Sequence, residues 1–432
     1  MKTSVLMTSL CLGALASGAS AAELSIKGNL SETVETSDNY FLSSAPSGVT
    51  VKSLNAVNLD FLARTPTTRY LLDTNYSYYK YFGPGAVDAG PLTSGTPASA
   101  TFSINHTTEL SKYNLAASWT RADAATTQLV QSGIATAHGS INTYDVNSGV
   151  TRDLGRNDTI SWTADANTVS FTDQTQTPYT DVSSTIGWTR SLSQTTTLTN
   201  SVNFDWFSQD DQANSQRLMW RFTTGLQSQL SQLLTFHGNV GLVFSNAYQN
   251  GNAQSPIPPI PPAVAPFQLQ IGAGHGWFGD VGLTYRLLKD TSVSLTAAQA
   301  IIPTFTGQLQ QSSSIGMSLG YDINQFSNLS FSTQYSQSSA PGQIGQTSST
   351  SMTSDFFSAS VNYGYSLTRE WRTNVSYTFR ENVGMAKSNT VLFGLSRDFT
   401  LLGNPTDINK AEAERARQRE RQSIGQVFPN FR

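Results

Sequence analysis

Side chains able to make or break bonds are sparse in this chain, and their spacing is that of a wall, not of a reaction centre. The four histidines are His106, His138, His237 and His275. None stands in a ligand spacing such as His-x-x-x-His, and none has a local serine or carboxylate constellation that a sequence could certify as a hydrolase. The single cysteine, Cys11, falls in an apolar leader, so the mature chain has no material for a disulfide framework, a thiolate metal site or a cysteine nucleophile. The expectation is a protein that is not an enzyme, with no cofactor and no metal. What recurs instead is charge at alternate positions opposite apolar residues. Lys27, Arg64, Arg69, Arg217, Arg221, Arg286, Arg372 and Arg380 take that parity, and so do Asp60, Asp73, Glu109, Asp205, Asp280 and Asp322. Amides and hydroxyls such as Asn75, Asn203, Gln227, Asn239 and Gln334 lie between them. A lining of this kind suits hydration and the passage of hydrophilic solutes. Because the two signs balance, with no ring of one sign, weak ion preference is expected.

The elements that carry these residues repeat one pattern. From Thr197 to Trp206, Leu198, Asn200, Val202, Phe204 and Trp206 share one face, while Thr197, Thr199, Ser201, Asn203 and Asp205 share the other. Period two means a strand with one apolar and one wet face. Similar segments run from Leu24 to Glu35, Val57 to Arg64, Tyr70 to Phe82, Phe102 to Leu110, Leu115 to Arg121 and Ile160 to Ala164, then as consecutive hairpins beyond Val182. The count is about eighteen, or sixteen if the weak stretch Val169 to Phe171 is not a strand. Connections alternate in length. Short ones are expected at Thr65 to Thr68, Lys112, Ser193 to Thr195, Ser231-Gln232, Lys289-Asp290, Asn324 to Phe326 and Thr368 to Glu370. Long ones are expected at Gly83 to Ala100, Asp123 to Arg156, Ala247 to Phe267 and Ser339 to Thr350.

Residues 1–21 have the form of a secretory signal: Lys2, an apolar stretch from Val5 to Ala16, and the small residues Ala19-Ser20-Ala21. Beyond it no continuous apolar run is long enough for a membrane-spanning helix. Only 13% of residues are charged, about half the usual share for soluble domains. The net charge of -3 is too small to suggest a nucleic-acid partner. No linker divides residues 22–402, which are expected to form one closed sheet. Residues 403–432 are a charged tail, helical or disordered, since Asp407 to Ser423 has strong helix formers and no apolar stripe.

Aromatic residues sort to both ends of the apolar faces. Tyr70, Tyr113, Trp188, Tyr285, Tyr321, Tyr365 and Trp371 adjoin short connections, whereas Tyr78, Phe82, Trp119, Trp206, Trp220, Phe244 and Trp277 approach long ones. Two aromatic belts with long loops at one end and short turns at the other predict a transmembrane, antiparallel, up-and-down β-barrel, all-β, apolar outside and wet inside. Such barrels set the short turns and both chain ends in the periplasm. Lys80 and Arg121 take the outward parity near long loops, where lipopolysaccharide phosphate would meet them.

The last strand ends Gly394-Leu395-Ser396-Arg397-Asp398-Phe399. This resembles the terminal signal by which bacterial outer-membrane barrels are recognised by their assembly machinery. Gly394 and Phe399 match that pattern, and Arg397 stands where the family has its other aromatic. The stretch around Ser31 to Ser43 is faintly similar to poorly characterised barrels of exopolysaccharide-producing bacteria. The resemblance implies a porin-like protein of the Gram-negative outer membrane, in contact with membrane lipid and lipopolysaccharide, while the excess of arginine in the tail suits peptidoglycan or a periplasmic partner. The function expected is a water-filled channel or export conduit for small hydrophilic solutes or saccharide. The alternative is a structural or adhesive surface barrel with a blocked lumen.

Overall fold

The computed structural model describes residues 23–403, apart from 90–92, 125, 128–138, 174–175, 211–214, 251–267, 289, 304–308 and 340–353. The expected signal peptide, nearly all of the tail and much of the longest connections lie outside the described residues.

Strands follow one another with almost nothing between. They are β1 (Glu23–Ser37), β2 (Thr50–Arg64), β3 (Thr68–Phe82), a two-residue β4 (Ser94–Gly95), β5 (Ala98–Thr107), β6 (Ser111–Asp123) and β7 (Ser140–Asp153). Next come β8 (Asp158–Phe171), β9 (Tyr179–Ser191), β10 (Thr196–Gln209), β11 (Gln216–Gln229), β12 (Leu234–Asn250) and β13 (Gln268–Leu288). The series ends with β14 (Thr291–Pro303), β15 (Leu309–Asn324), β16 (Ser327–Ser339), β17 (Ser354–Ser366), β18 (Trp371–Asn382) and β19 (Ala386–Leu402). Each long strand pairs antiparallel with the next, β3 passing directly to β5, and β1 pairs with both β2 and β19. Setting aside β4, the result is a closed ring of eighteen strands. Closure removes the edges and gives every strand a partner on both sides, as lipid demands of a spanning sheet.

Eight connections at one end of the barrel are only two to four residues long. Their sequences explain their tightness. Thr65, Thr108, Ser193, Ser231, Asn324 and Thr368 each open a turn with a side-chain oxygen that accepts a backbone N–H two or three residues on, at 3.0–3.1 Å. The opposite end carries the longer connections, except that β18 and β19 are joined by residues 383–385 alone, with Gly384 at a φ of 77°.

Three expectations are corrected. Asp123 to Arg156 is not one long loop, because β7 occupies Ser140–Asp153 and a four-residue turn follows it. In β7, Tyr144, Val146 and Val150 do alternate with polar residues, but Asn142, Ser148 and Arg152 share their face and dilute the pattern. Ladders to β6 and β8 on both sides hold the strand nonetheless. The turn expected at Lys112 lies at residues 108–110, with Lys112 inside β6. Glu109 is consequently in that turn and not on the inner face of a strand. The weak stretch Val169 to Phe171 is the end of β8, and Val169 is buried.

Candidate functional site

In a closed barrel the two parities of each strand face lipid and lumen. Most large apolar side chains fall on one parity and lie exposed in the protein alone, for example Leu30, Val57, Tyr76, Trp220, Leu242, Trp277 and Phe393. The other parity is the lumen wall, and it divides into three sectors.

The first is built around the connection between β1 and β2. Asn39 closes it on itself: its side chain donates to the Ser43 carbonyl at 2.8 Å and accepts the Ser43 N–H at 2.9 Å. Leu42 sits at a φ of 52°, a conformation unfavourable for a branched side chain and held here by packing. The turn delivers Tyr40, Phe41 and Leu42 to the inner wall, against Tyr79, Tyr81, Ala86 and Ala386. Lys52, on β2, donates to the Tyr40 hydroxyl at 2.9 Å. Its ammonium also lies 5.3, 5.2 and 5.7 Å from the ring centroids of Tyr40, Tyr79 and Tyr81. Arg380, on β18, stands 5.9 Å from the Tyr40 ring and 3.6 Å from the Glu35 carboxylate. Burial pushes the Tyr40 hydroxyl above the usual phenol range, and the nearby Glu35 carboxylate adds to that.

The second sector runs from β7 to β10. Each of these strands places a carboxylate in one row on the wall, Asp145, Asp165, Asp181 and Asp205, with Asp153 of β7 farther along at the turn end. No lysine or arginine shares their parity on those four strands. Asp205 is buried and ion-pairs with Arg221 of β11 at 3.2 Å. Above the row, Ala124, Ile141 and Val169 pack with Phe171 and Tyr179, and Tyr179 lies against Phe207.

The third sector, from β14 to β17, is short-chained and uncharged over most of its height. Ser292, Ser294, Ser312, Ser314, Ser330, Ser332, Ser358 and Ser360 face inward, with contacts such as Ser332 to Ser360 at 2.7 Å and Thr284 to Ser294 at 3.1 Å.

The residues anticipated from sequence lie within these sectors and on the strands between them. Arg372 pairs with Asp398, which also accepts from Asn29 at 2.7 Å. Arg221 and Arg380 hold the ion pairs already described. Asp280 takes both hydrogen bonds of the Asn239 amide at 3.0 Å and lies 3.7 Å from His237. Lys27 stands across from Asp60, Asp60 from Asp73, and Arg64 from Arg69. Arg217 faces Phe207 in the ladder, and Arg286 faces Ser292. On the outer face, Lys80 lies 5.2 Å from the Phe82 ring centroid. Arg121 is exposed on β6, two strands round from it. His106 sits 2.8 Å from the Thr68 hydroxyl and beside Tyr113, His275 is on β13, and His138 lies outside the described residues. Among the described residues no three His, Cys, Asp or Glu side chains group as metal ligands.

Lys52, Asp145, Asp165, Asp181 and Asp398 were missed from the sequence. Counting parity through β2, β9 and β19 would have found Lys52, Asp181 and Asp398. Asp145 was hidden in the segment taken for a loop. Their addition changes the electrostatics, because charges that balance over the whole chain are sorted by strand. The acidic sector centred on β9 lies nine strands round from β18, which carries Arg372 and Arg380.

An even-stranded closed barrel with apolar side chains and aromatic girdles outside and charge inside is a transmembrane β-barrel of the outer-membrane type. No family model matches the chain, and no curated protein matches it. Solved barrels do. The ferric-catecholate import receptor Fiu from E. coli K12, in its open form, is 11% identical over 87% of this chain and 81% of its own, with a TM-score of 0.47. Acinetobacter baumannii OccAB2 is 9% identical over 88% of this chain and 98% of its own, with a TM-score of 0.45. A BenF-like porin from Pseudomonas fluorescens Pf-5 is 8% identical over 88% and 99%, with a TM-score of 0.45. At such identities the likeness is one of fold.

Proposed function

We propose that the chain is an outer-membrane channel through which small hydrophilic solutes pass passively, neutral saccharides among them. The observation that carries this reading is the serine-rich sector from β14 to β17. An eighteen-stranded ring is too wide for its own side chains to fill, and here the wall is lined by the shortest polar side chains available. Hydroxyls of that kind keep a water column hydrogen-bonded without holding a solute tightly. Lys27, Arg64, Arg69, Asp73, Arg217, Arg286 and the paired charges Asp205 with Arg221, Asp280 with His237, and Arg372 with Asp398 also stand in the lining. On this reading the docked Tyr40 to Leu42 segment narrows the external mouth from one side. Liposomes carrying the folded protein should swell in isotonic neutral sugars, at rates that fall with sugar size. Absence of swelling with the smallest sugars, by protein that resists unfolding in detergent, would favour a structural barrel with a blocked lumen.

A further inference from the structure

Four side-chain oxygens on adjacent strands of the acidic sector are buried and have no donor: Oδ1 of Asn167 on β8, of Asp181 on β9, and of Asn203 and Asp205 on β10. The first two residues stand directly across from each other in the ladder. Asp205 is 4% exposed. Its Oδ2 is engaged by Arg221 at 3.2 Å, and its Oδ1 has no partner. Asn203 spends its amide N–H on the Thr185 hydroxyl at 2.8 Å, which fixes its carbonyl oxygen as a pure acceptor. Buried acceptors are ordinarily paired, and leaving several unpaired in one place is costly. Through the ladder each carboxylate of the row stands diagonally across from the next: Asp165 lies two residues from Asn167, which faces Asp145; Asp181 two residues from Ser183, which faces Asp165; and Asp205 two residues from Phe207, which faces Asp181. Apart from the Arg221 contact to Asp205, the wall here presents acceptors and carboxylates without a positively charged N–H donor.

A single metal ion would supply charge, but among the described residues no three acidic or histidine side chains converge as its ligands. The carboxylates form a row instead, one on each of β7, β8, β9 and β10. Asp145 and Asp181, which both face Asn167, stand two strand spacings apart, roughly 10 Å. That arrangement matches two ammonium groups on one flexible chain, since each ammonium brings three donors and no acceptor. Phe207 faces Asp181 in the ladder and Met219 faces Asp205, so apolar side chains flank the row where methylenes would lie.

We propose that the acidic sector is a binding site for organic cations with two or more separated ammonium groups, linear polyamines being the simplest, as they move through the channel. The inference rests on the open-channel reading above, and its test separates the two. Spermidine is titrated against the KCl conductance of the protein in planar bilayers, with butylamine and calcium chloride as comparisons, and spermidine binding to the detergent-folded barrel is measured by calorimetry. Spermidine should reduce conductance at concentrations about tenfold below those of butylamine or calcium. Asp181→Asn and, separately, Asp145→Asn should each weaken its action by about tenfold, the loss expected when a carboxylate facing the ammonium in a partly desolvated wall is removed. Equal action of spermidine, butylamine and calcium, or indifference to both substitutions in folded protein, would overturn the site and leave carboxylates that merely share protons. Calorimetric binding without any conductance would uphold the site and sink the channel reading alone.

Discussion

Phe399 lays its ring on Gly28 across the seam where β19 meets β1, so close that a methyl group on Gly28 would overlap the ring atoms. The last aromatic of the barrel therefore covers backbone that a glycine leaves bare in the first strand. Both residues take the lipid-facing parity, and the register slips by one residue just beside them, between Ile26 and Lys27. The seam is thus closed by shape as well as by the ladder.

That relationship predicts an asymmetric pair of mutants. Gly28→Leu should destabilise the folded barrel by about 1–3 kcal/mol through overpacking. Phe399→Ala should cost less on the Gly28→Leu background than on the native one, since the clash is then gone. Urea midpoints of the two single variants and the double variant, in one detergent, measure the coupling. Additive effects would mean that the ring does not rest on Gly28 in the membrane.

Lys52 pins the β1–β2 connection to the wall, and Lys52→Met should release it. Loss of cation–π contacts of about 0.5–2 kcal/mol each is expected to raise hydrogen exchange at residues 38–49 while the barrel strands stay protected. The connection also has a pH signature. Burial holds the Tyr40 phenol neutral above the value near 10 at which free tyrosine ionises. Docking is therefore at full strength below about pH 10 and weakens as pH rises above it, because only the released loop can lose the proton. The difference in 295 nm absorbance between the native protein and Tyr40→Phe should show no phenolate at pH 10. An ordinary titration there would contradict docking.

Lys80 and Arg121 stand on the outer face at the end with the long connections, two strands apart. Cations at the midplane of a barrel wall are unfavourable by about 2–4 kcal/mol but near zero at the interface. Each should therefore contact lipopolysaccharide phosphate. Replacing both with alanine should lower thermal stability in lipopolysaccharide bilayers and leave it unchanged in neutral phospholipid. Equal behaviour in the two lipids would reduce these residues to chains that reach water.

The barrel was legible because period-two alternation and turn chemistry are local. Val202 beside Asn203, or Thr368 ahead of Trp371, states its role within a few residues. β7 was obscured because Asn142, Ser148 and Arg152 weaken its apolar face, and only pairing with β6 and β8 restores it. The acidic sector was out of reach for a different reason. Asp145, Asp165, Asp181 and Asp205 are spread over sixty residues of sequence and become one surface only when four strands stand in register. The docking of Tyr40 onto Tyr79 and Tyr81 likewise depends on where a loop folds, which alternation does not encode.

Single-channel recording tests the central claim most directly. Purified protein, verified as folded by its heat-dependent gel mobility, is added to a planar bilayer in KCl. An open eighteen-stranded lumen predicts stepwise, ohmic conductance that persists under low voltage, and larger steps for Lys52→Met if the released loop clears the mouth. Folded protein that inserts yet gives no steps, with or without that substitution, would contradict a water-filled conduit and establish the barrel as a structural element of the outer membrane.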